Sequence, residues 1–223
     1  MKSPVIPVIA IDGPTASGKG TVAQRVAEQL GFHYLDSGSL YRLAALAALR
    51  QGQDLADAEA VARIAANLDV AFRDGKTLLE GQDVGDEIRT EAASQNASRV
   101  AALPKVRAAL LNLQRNFRVF PGLVADGRDM GSVVFPDAVL KVYLTASAEA
   151  RAERRTKQLK EKGMSAIMPD VVKELRARDE RDMNRPVAPL KHYPDAYLID
   201  TTRISAEVAV QTILSWARKS VGA

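Results

Sequence analysis

The order of elements predicts an α/β fold: a five-stranded parallel sheet flanked by helices, with a small antiparallel β insertion and a short helical lid. Three observations carry this. The chain opens on an apolar stretch, Val5 to Ile11, rich in Val and Ile, which reads as a strand buried on both faces. A glycine-rich turn, Gly13 to Gly20, then joins it to an amphipathic helix and a second short strand. Further apolar runs at 123–125, 139–144 and 197–199 supply three more strands between helical segments.

Each element has a local reason. Pro7 cannot donate to a ladder, so the regular strand starts after it. In Thr21 to Leu30, Val22, Val26, Ala27 and Leu30 share one face, and Gly31 is a stop. Phe32 to Leu35 is a strand, and Leu40 to Arg50 is a second helix ending near Gly52. From about Leu68 the pattern changes. Asp69 to Phe72 alternates polar and apolar, Asp74-Gly75 is a hairpin turn, and Thr77 to Glu80 returns. Gly81 to Val84 adds another short piece. A two-stranded ribbon is marginal alone, so it needs a third strand or a helix beside it. Helices resume at Ala92 to Ala102 and, past Pro104, at Lys105 to Arg118. Ala148 to Lys162 is a charged helix stopped by Gly163, and Pro169 opens another that runs to about Asp182. Glu207 to Arg218 closes the chain. The expected segments are a core at 1–59, an insertion at 60–92, core again at 93–150, a lid at 151–170, and core at 171–223.

Composition narrows the chemistry. The 223 residues can bury one substantial core. There is no cysteine, which removes disulfides, thiolate catalysis and cysteine-ligated metals. Only His33 and His192 are present, too few for a histidine-rich metal site. No run of about 18 apolar residues marks a membrane span, and Val5 to Ile11 is too short for a signal peptide. A cytoplasmic setting is expected. Aromatics are 5%, sparse for a protein that stacks nucleic-acid bases. The net charge is +4, and residues 151–185 hold all of it: eleven Lys or Arg against seven Asp or Glu. A basic segment on a neutral body suggests an anionic ligand.

Gly13-Pro14-Thr15-Ala16-Ser17-Gly18-Lys19-Gly20-Thr21 fits the phosphate-loop frame G-x-x-x-x-G-K. A strand precedes it and a helix follows, which is the context the frame requires. Small residues let the backbone curl so that N–H groups and the helix N-terminus face an anion. Lys19 reaches the β and γ phosphates as a point charge. Gly20 stands where the strict frame has a hydroxyl, so Thr21 or Ser17 would approach Mg²⁺, directly or through water.

Other residues speak for an acceptor. Asp36-Ser37-Gly38-Ser39-Leu40-Tyr41-Arg42 follows the second strand, with Ser37 at a helix start and Arg42 one turn in. Tyr41 is expected to pack against the sheet. Asp126-Gly127-Arg128-Asp129-Met130-Gly131 follows the third strand. Arg128 would suit a phosphate through its bidentate fork. Asp129 would suit an exocyclic amine as acceptor, or act as a base. Arg151, Arg154, Arg155, Lys157 and Lys160 crowd one helix, and Arg178, Asp182 and Arg185 share a face of the next. Such a helical hairpin can close over phosphates and expel water, with Gly163 and the loop through Met168 as its flexible points.

Taken together, these residues resemble the bacterial cytidylate (CMP/dCMP) kinases, members of the nucleoside monophosphate kinase group. The most specific pieces are Asp36-Ser37-Gly38 with Tyr41-Arg42, Glu87-Ile88-Arg89-Thr90, and Asp126-Gly127-Arg128-Asp129-Met130-Gly131. Asp182-Met183-Asn184-Arg185 followed by Val187-Ala188-Pro189 adds to them. The resemblance implies a P-loop NTP hydrolase-like fold in which the insertion binds the monophosphate. It implies that Ser37 and Arg42 hold the acceptor nucleotide, Arg42 at its phosphate. Arg107 would meet N3 and O2 of cytosine, while Ser98 and Asp129 take the 4-amino group; spacing alone does not single out Ser98 or Arg107. Arg178 and Asp182 would surround the sugar. Arg128 and Arg185, with Arg178, would grip the phosphates, and lid arginines such as Arg154 would attend the donor.

The implied reaction is ATP + CMP ⇌ ADP + CDP with Mg²⁺. It needs alignment and charge neutralisation but no general base, because the attacking phosphate oxygen is already anionic. Lys19, Arg128, Arg178 and Arg185 would be the catalytic residues. The expected partners are small nucleotides, with no nucleic acid and no membrane, and the chain is expected to be a monomer. Two rivals remain: another P-loop small-molecule kinase with a UMP, AMP or non-nucleotide acceptor, and a P-loop nucleotide switch. The switch would want a guanine-reading N-K-x-D run, which the sequence lacks.

Overall fold

In chain order the elements are β1 (Val8–Asp12), α1 (Lys19–Leu30), β2 (His33–Asp36), α2 (Ser37–Arg50), α3 (Ala58–Ala66), β3 (Val70–Arg73), β4 (Lys76–Leu79) and β5 (Gln82–Asp83). A 3₁₀ turn at Glu87–Arg89 leads to α4 (Glu91–Val100), α5 (Pro104–Arg115) and β6 (Leu123–Gly127). A π-helical turn at Met130–Val134 precedes β7 (Leu140–Thr145), α6 (Ala148–Glu161), α7 (Met168–Met183), β8 (Tyr197–Asp200) and α8 (Ala206–Val221). The computed structural model describes residues 6–221 apart from 74, 162 and 164. Val5 of the first expected strand, Asp74 of the hairpin turn and Lys162 at the expected helix end lie outside the described residues.

The chain forms two compact units, one comprising the residues up to Leu35 and from Asn116 onward, the other Asp36–Arg115. The first carries a five-stranded parallel sheet in the order β2-β6-β1-β7-β8. β1 is central, and Val8, Ile9, Ala10 and Ile11 are fully buried, as a strand covered on both faces must be. Pro7 adds no N–H, yet its carbonyl accepts the Leu123 N–H at 3.0 Å. Ile9, Ile11, Val124, Val142 and Leu144 of the sheet pack with Val22 and Val26 of α1 and Val210, Ile213 and Leu214 of α8. The register pairs Asp12 with Gly127. Parallel strands in this register release the Gly13 loop and the Arg128 turn side by side at one sheet edge.

α6 and α7 pack through Ala152, Leu159, Val171 and Leu175, with Ala16 of the glycine loop against the same cluster. This is the helical hairpin the charge pattern calls for. Among the described residues, no helix is long and apolar enough to cross a membrane.

In the second unit, α2 packs on α3 and α4, and α3 on α5. Beside them lies a three-stranded antiparallel sheet, β3-β4-β5. Gln82 and Asp83 are the third strand that the ribbon needs. Leu79 pairs with Gln82 across two residues, Glu80 and Gly81, both at positive φ. The strands occupy 70–83 only. Residues 58–66, part of which falls within the 60–92 insertion, are a helix that the sequence reading does not contain. Its reasons are local: Asp57 accepts the N–H groups of Glu59 and Ala60 at 3.0 Å, and alanine-rich AEAVARIAA is a strong helix former. Pro104, expected as a break, opens α5, where its missing N–H is harmless.

Candidate functional site

The phosphate loop curls as its composition demands. Gly13 lies at φ +156°, where an added Cβ would sit 2.0 Å from the Leu144 carbonyl oxygen. Gly18 lies at φ +90° and caps α1 without any side-chain acceptor. The first-turn N–H groups of α1 therefore face the loop's concavity without an intrahelical partner. Lys19 is buried. Its Nζ donates to the Pro14 carbonyl at 3.3 Å and stands 3.8 Å from Asp126 Oδ1. Asp126 also accepts from the Tyr34 hydroxyl at 3.1 Å.

That carboxylate explains the departure from the strict frame at Gly20. A Cβ there would come within 3.2 Å of Asp126 Oδ2 and 3.7 Å of the Tyr34 oxygen. The hydroxyls at the two neighbouring candidates differ. Thr21 is exposed, whereas Ser17 is fully buried and its Oγ has no hydrogen-bond partner among the described residues. A buried orphan hydroxyl inside a phosphate loop is a ligand donor or acceptor in waiting, and it fits a phosphate oxygen or a magnesium-bound water.

The basic segment binds the loop from outside. Arg154 donates to the carbonyls of Ser17 at 3.2 Å and Thr201 at 2.5 Å. Arg151 donates to the Thr15 carbonyl at 3.2 Å and pairs with Asp179 of α7 at 2.6 Å. These two arginines fix the loop's backbone to α6, α7 and the segment after β8.

Asp182 of α7 gathers three further arginines of this unit, Arg128, Arg178 and Arg185. Arg128 donates through Nε to Asp182 Oδ2 at 2.9 Å. Burial alone would raise the Asp182 carboxyl, but Arg128, Arg178 and Arg185 together hold it below its ordinary value. Burial likewise works against the Arg128 charge, and Asp182, with smaller help from Asp126 and Asp179, more than restores it. Arg185 is buried, and its guanidinium donates to the Ala188 carbonyl at 2.6 Å. The i, i+4, i+7 spacing of Arg178, Asp182 and Arg185 thus builds one charged cluster, joined by Arg128 from the end of β6. Asp129, next to Arg128, is also buried.

Asp12 lies beneath that turn. Its two carboxylate oxygens accept the N–H groups of Met130 at 2.8 Å and Gly131 at 2.9 Å. Burial, with smaller help from Asp129 and Asp126, pushes its carboxyl up to about 7 despite those bonds.

The second unit holds the other expected residues. Asp36 caps α2 by accepting the Ser39 N–H at 3.2 Å and its hydroxyl at 2.6 Å, and pairs with Arg42 at 3.2 Å. Ser37 is buried in the first turn of α2. Ser98 of α4 and Arg107 of α5 are buried as well. The Arg107 guanidinium lies 5.7 Å over the Tyr41 ring and donates to the Ala101 carbonyl at 3.3 Å. Tyr41, expected to pack against the sheet, is buried as the platform of Arg107 within its own unit.

Among the residues of these networks that the sequence-based site leaves out are Asp12, Tyr34, Asp126, Asp179 and Thr201. Asp12 and Asp126 carried a readable signal, since each is a carboxylate ending an apolar strand run. Thr201 carried none.

The chain as a whole is similar to known proteins. The family model of cytidylate kinase matches residues 9–219. A cytidylate kinase of Chromobacterium violaceum is 59% identical over 211 residues, covering 95% of each chain. One of Nitrosomonas europaea is 56% identical over 210 residues, covering 94% of each. A crystal structure of an uncharacterized protein from Eubacterium ventriosum superposes with TM-score 0.57 at 11% identity, covering 97% of this chain and 99% of that one, a likeness of fold alone.

Gly13→Ala should displace the loop, because the new methyl meets backbone and cannot be relieved by a rotamer change. We expect ATP affinity, measured by calorimetry, to fall by tenfold or more, on the order of 1.4 kcal/mol. Gly52→Ala, whose methyl would meet open space at φ +69°, should leave ATP affinity unchanged.

Proposed function

The chain belongs to the cytidylate kinase family, and from that premise we propose how its residues divide the work of phosphorylating CMP. The reaction is phosphoryl transfer from ATP to CMP or dCMP, giving CDP or dCDP. An oxygen of the CMP phosphate forms a bond to the γ-phosphorus as the bond from that phosphorus to the β-bridging oxygen breaks, and ADP leaves. The second ionisation of a phosphate monoester lies near pH 6, so the nucleophile is an anion at neutral pH and needs no base.

The donor would be taken by the loop from Gly13 through Pro14, Thr15, Ala16, Ser17, Gly18, Lys19, Gly20 and Thr21, with Arg154 bracing it. The α1 N-terminus and Lys19 supply the positive charge. Magnesium, bound with ATP, would neutralise charge between the β and γ phosphates. The orphaned Ser17 hydroxyl is the better placed of the two candidate donors toward it, directly or through water; the Thr21 side chain is exposed.

Ser37, Arg42, Ser98, Arg107 and Asp129 would read CMP, and Arg178 with Asp182 its sugar. Arg128, Arg178 and Arg185 would neutralise the charge that spreads over the equatorial oxygens. The observation that supports this most is the gathering of Arg128, Arg178 and the buried Arg185 around Asp182. Guanidiniums brought this close together suit a phosphate ligand. Residues 60–92 as a monophosphate-binding insertion and 151–170 as a lid belong to the same reading. With it go small nucleotides as the partners and a cytoplasmic monomer as the working form.

Lys19→Met should lower kcat by two or more orders of magnitude in a coupled ADP assay, while CMP binding measured by calorimetry stays near wild type. A turnover within tenfold of wild type would remove Lys19 from the transfer step. Asp129→Ala should shrink the preference for CMP over UMP, because UMP presents an oxygen where CMP presents a donor amine. Side-by-side kcat/KM values measure this, and an unchanged ratio would take Asp129 out of base reading.

A further inference from the structure

We propose that Asp12 is a positioning residue of the transfer site, holding the turn that carries Arg128 and Asp129 against the start of the phosphate loop. The inference rests on the phosphoryl-transfer reading above. Asp12 is the last residue of β1, directly before Gly13. Its two oxygens accept one N–H each, from Met130 at 2.8 Å and Gly131 at 2.9 Å. Those are the first residues of the π-helical turn that follows Asp129. Within the turn the Asp129 carbonyl accepts from Val133 and Val134, and the Met130 carbonyl from Phe135. Gly131 seats it tightly on the sheet: a Cβ there would come within 3.1 Å of Lys141 Cγ and 3.4 Å of Ala10 Cβ. Asp12 therefore links the donor loop and the arginine turn through one side chain. A π-helical turn is an irregular, costly local geometry, and two charge-assisted bonds at its start are a sufficient reason for it to persist.

The grip depends on charge. An ionised carboxylate accepts both N–H groups; a protonated one turns one oxygen into a donor facing an N–H and keeps one good bond. The groups facing Asp12 set the balance. Asp126 and Asp129, at the end of β6 and in its turn, disfavour ionisation. On β7 stand Tyr143 and Lys141, the latter paired with Asp195 at 2.6 Å. Lys191, Tyr193 and Asp195, from the segment after α7, line with Asp12 a small cavity of about 10 Å³. With burial pushing it up to about 7, Asp12 gains its charge, and the turn its second bond, as pH rises through neutrality.

The test is Asp12→Asn, an isosteric change that keeps one acceptor and sets an NH₂ group against a backbone N–H. Steady-state kcat and KM are measured from pH 5.5 to 9 for both proteins. At pH 8 we expect kcat to fall by about 10- to 100-fold, the cost of misplacing a catalytic group by about 1 Å, with KM for ATP within about threefold of wild type. The ratio of wild-type to variant kcat should shrink as pH falls through about 7, where wild-type Asp12 loses its charge. The titration of CMP's own phosphate is common to both proteins and cancels in that ratio. A variant within twofold of wild type at pH 8, or a ratio flat across the range, overturns the proposal. If the variant fails to fold, the wild-type chain still decides. The Met130 and Gly131 amide protons, followed by NMR, should titrate together with a midpoint near 7, and their failure to move between pH 5.5 and 8.5 overturns it. Absence of CMP turnover by the wild-type chain would instead overturn the kinase reading, which separates the two failures.

Discussion

A guanidinium buried in a protein must find negative charge, and in the larger unit Asp182 supplies it to Arg128 by a direct bond and to Arg178 and Arg185 through their proximity. The desolvation of such charges costs several kcal/mol each unless they are matched. Arg128 and Arg178 keep part of their surface open, and guanidiniums gathered this closely are groups suited to a phosphate. In this account the cluster is assembled before substrate arrives, so that little reorganisation is left for the moment of transfer.

The rest of that unit serves to hold this charge beside a phosphate loop. Parallel pairing of β1 with β6 brings Gly13 and Arg128 out at one edge, and register alone sets their spacing. Arg151 ties the loop's Thr15 carbonyl to Asp179 on α7, the helix that bears Arg178, Asp182 and Arg185. Arg154 ties the Ser17 carbonyl to Thr201. Arg151 and Arg154 of α6 thus spend much of their donor capacity on backbone carbonyls. This answers a problem posed by their crowding on one helix: like charges that share a face are tolerable when each has carbonyls or a carboxylate to bond.

Much of this was legible in the sequence, and the parts that were not have physical reasons. Strand, glycine loop and helix were plain because three independent signals coincide within residues 8–30. The arginine cluster was legible as a helical repeat at 178, 182 and 185. That Arg128 joins it is a tertiary fact with no local trace. The helix at 58–66 was missed although both its buried stripe, Ala60, Val61 and Ala65, and the Asp57 cap were there to be read. The π-helical turn after Asp129 was missed because no short motif encodes it; its existence depends on Asp12, more than a hundred residues away. Of the residues proposed to read the base, Ser98 and Arg107 became visible only through resemblance to a family, since burial is what distinguishes them from ordinary polar helix positions.

The claim that the arginine cluster exists to receive phosphate is tested most directly by the binding advantage of CMP over cytidine. Calorimetry on the wild-type chain and on Arg128→Met gives that advantage as a ratio of dissociation constants. A charge-assisted bond contributes about 1.5–3 kcal/mol, so the account expects the variant to lose about tenfold or more of the advantage while cytidine binds both proteins alike. An advantage undiminished in Arg128→Met would contradict it.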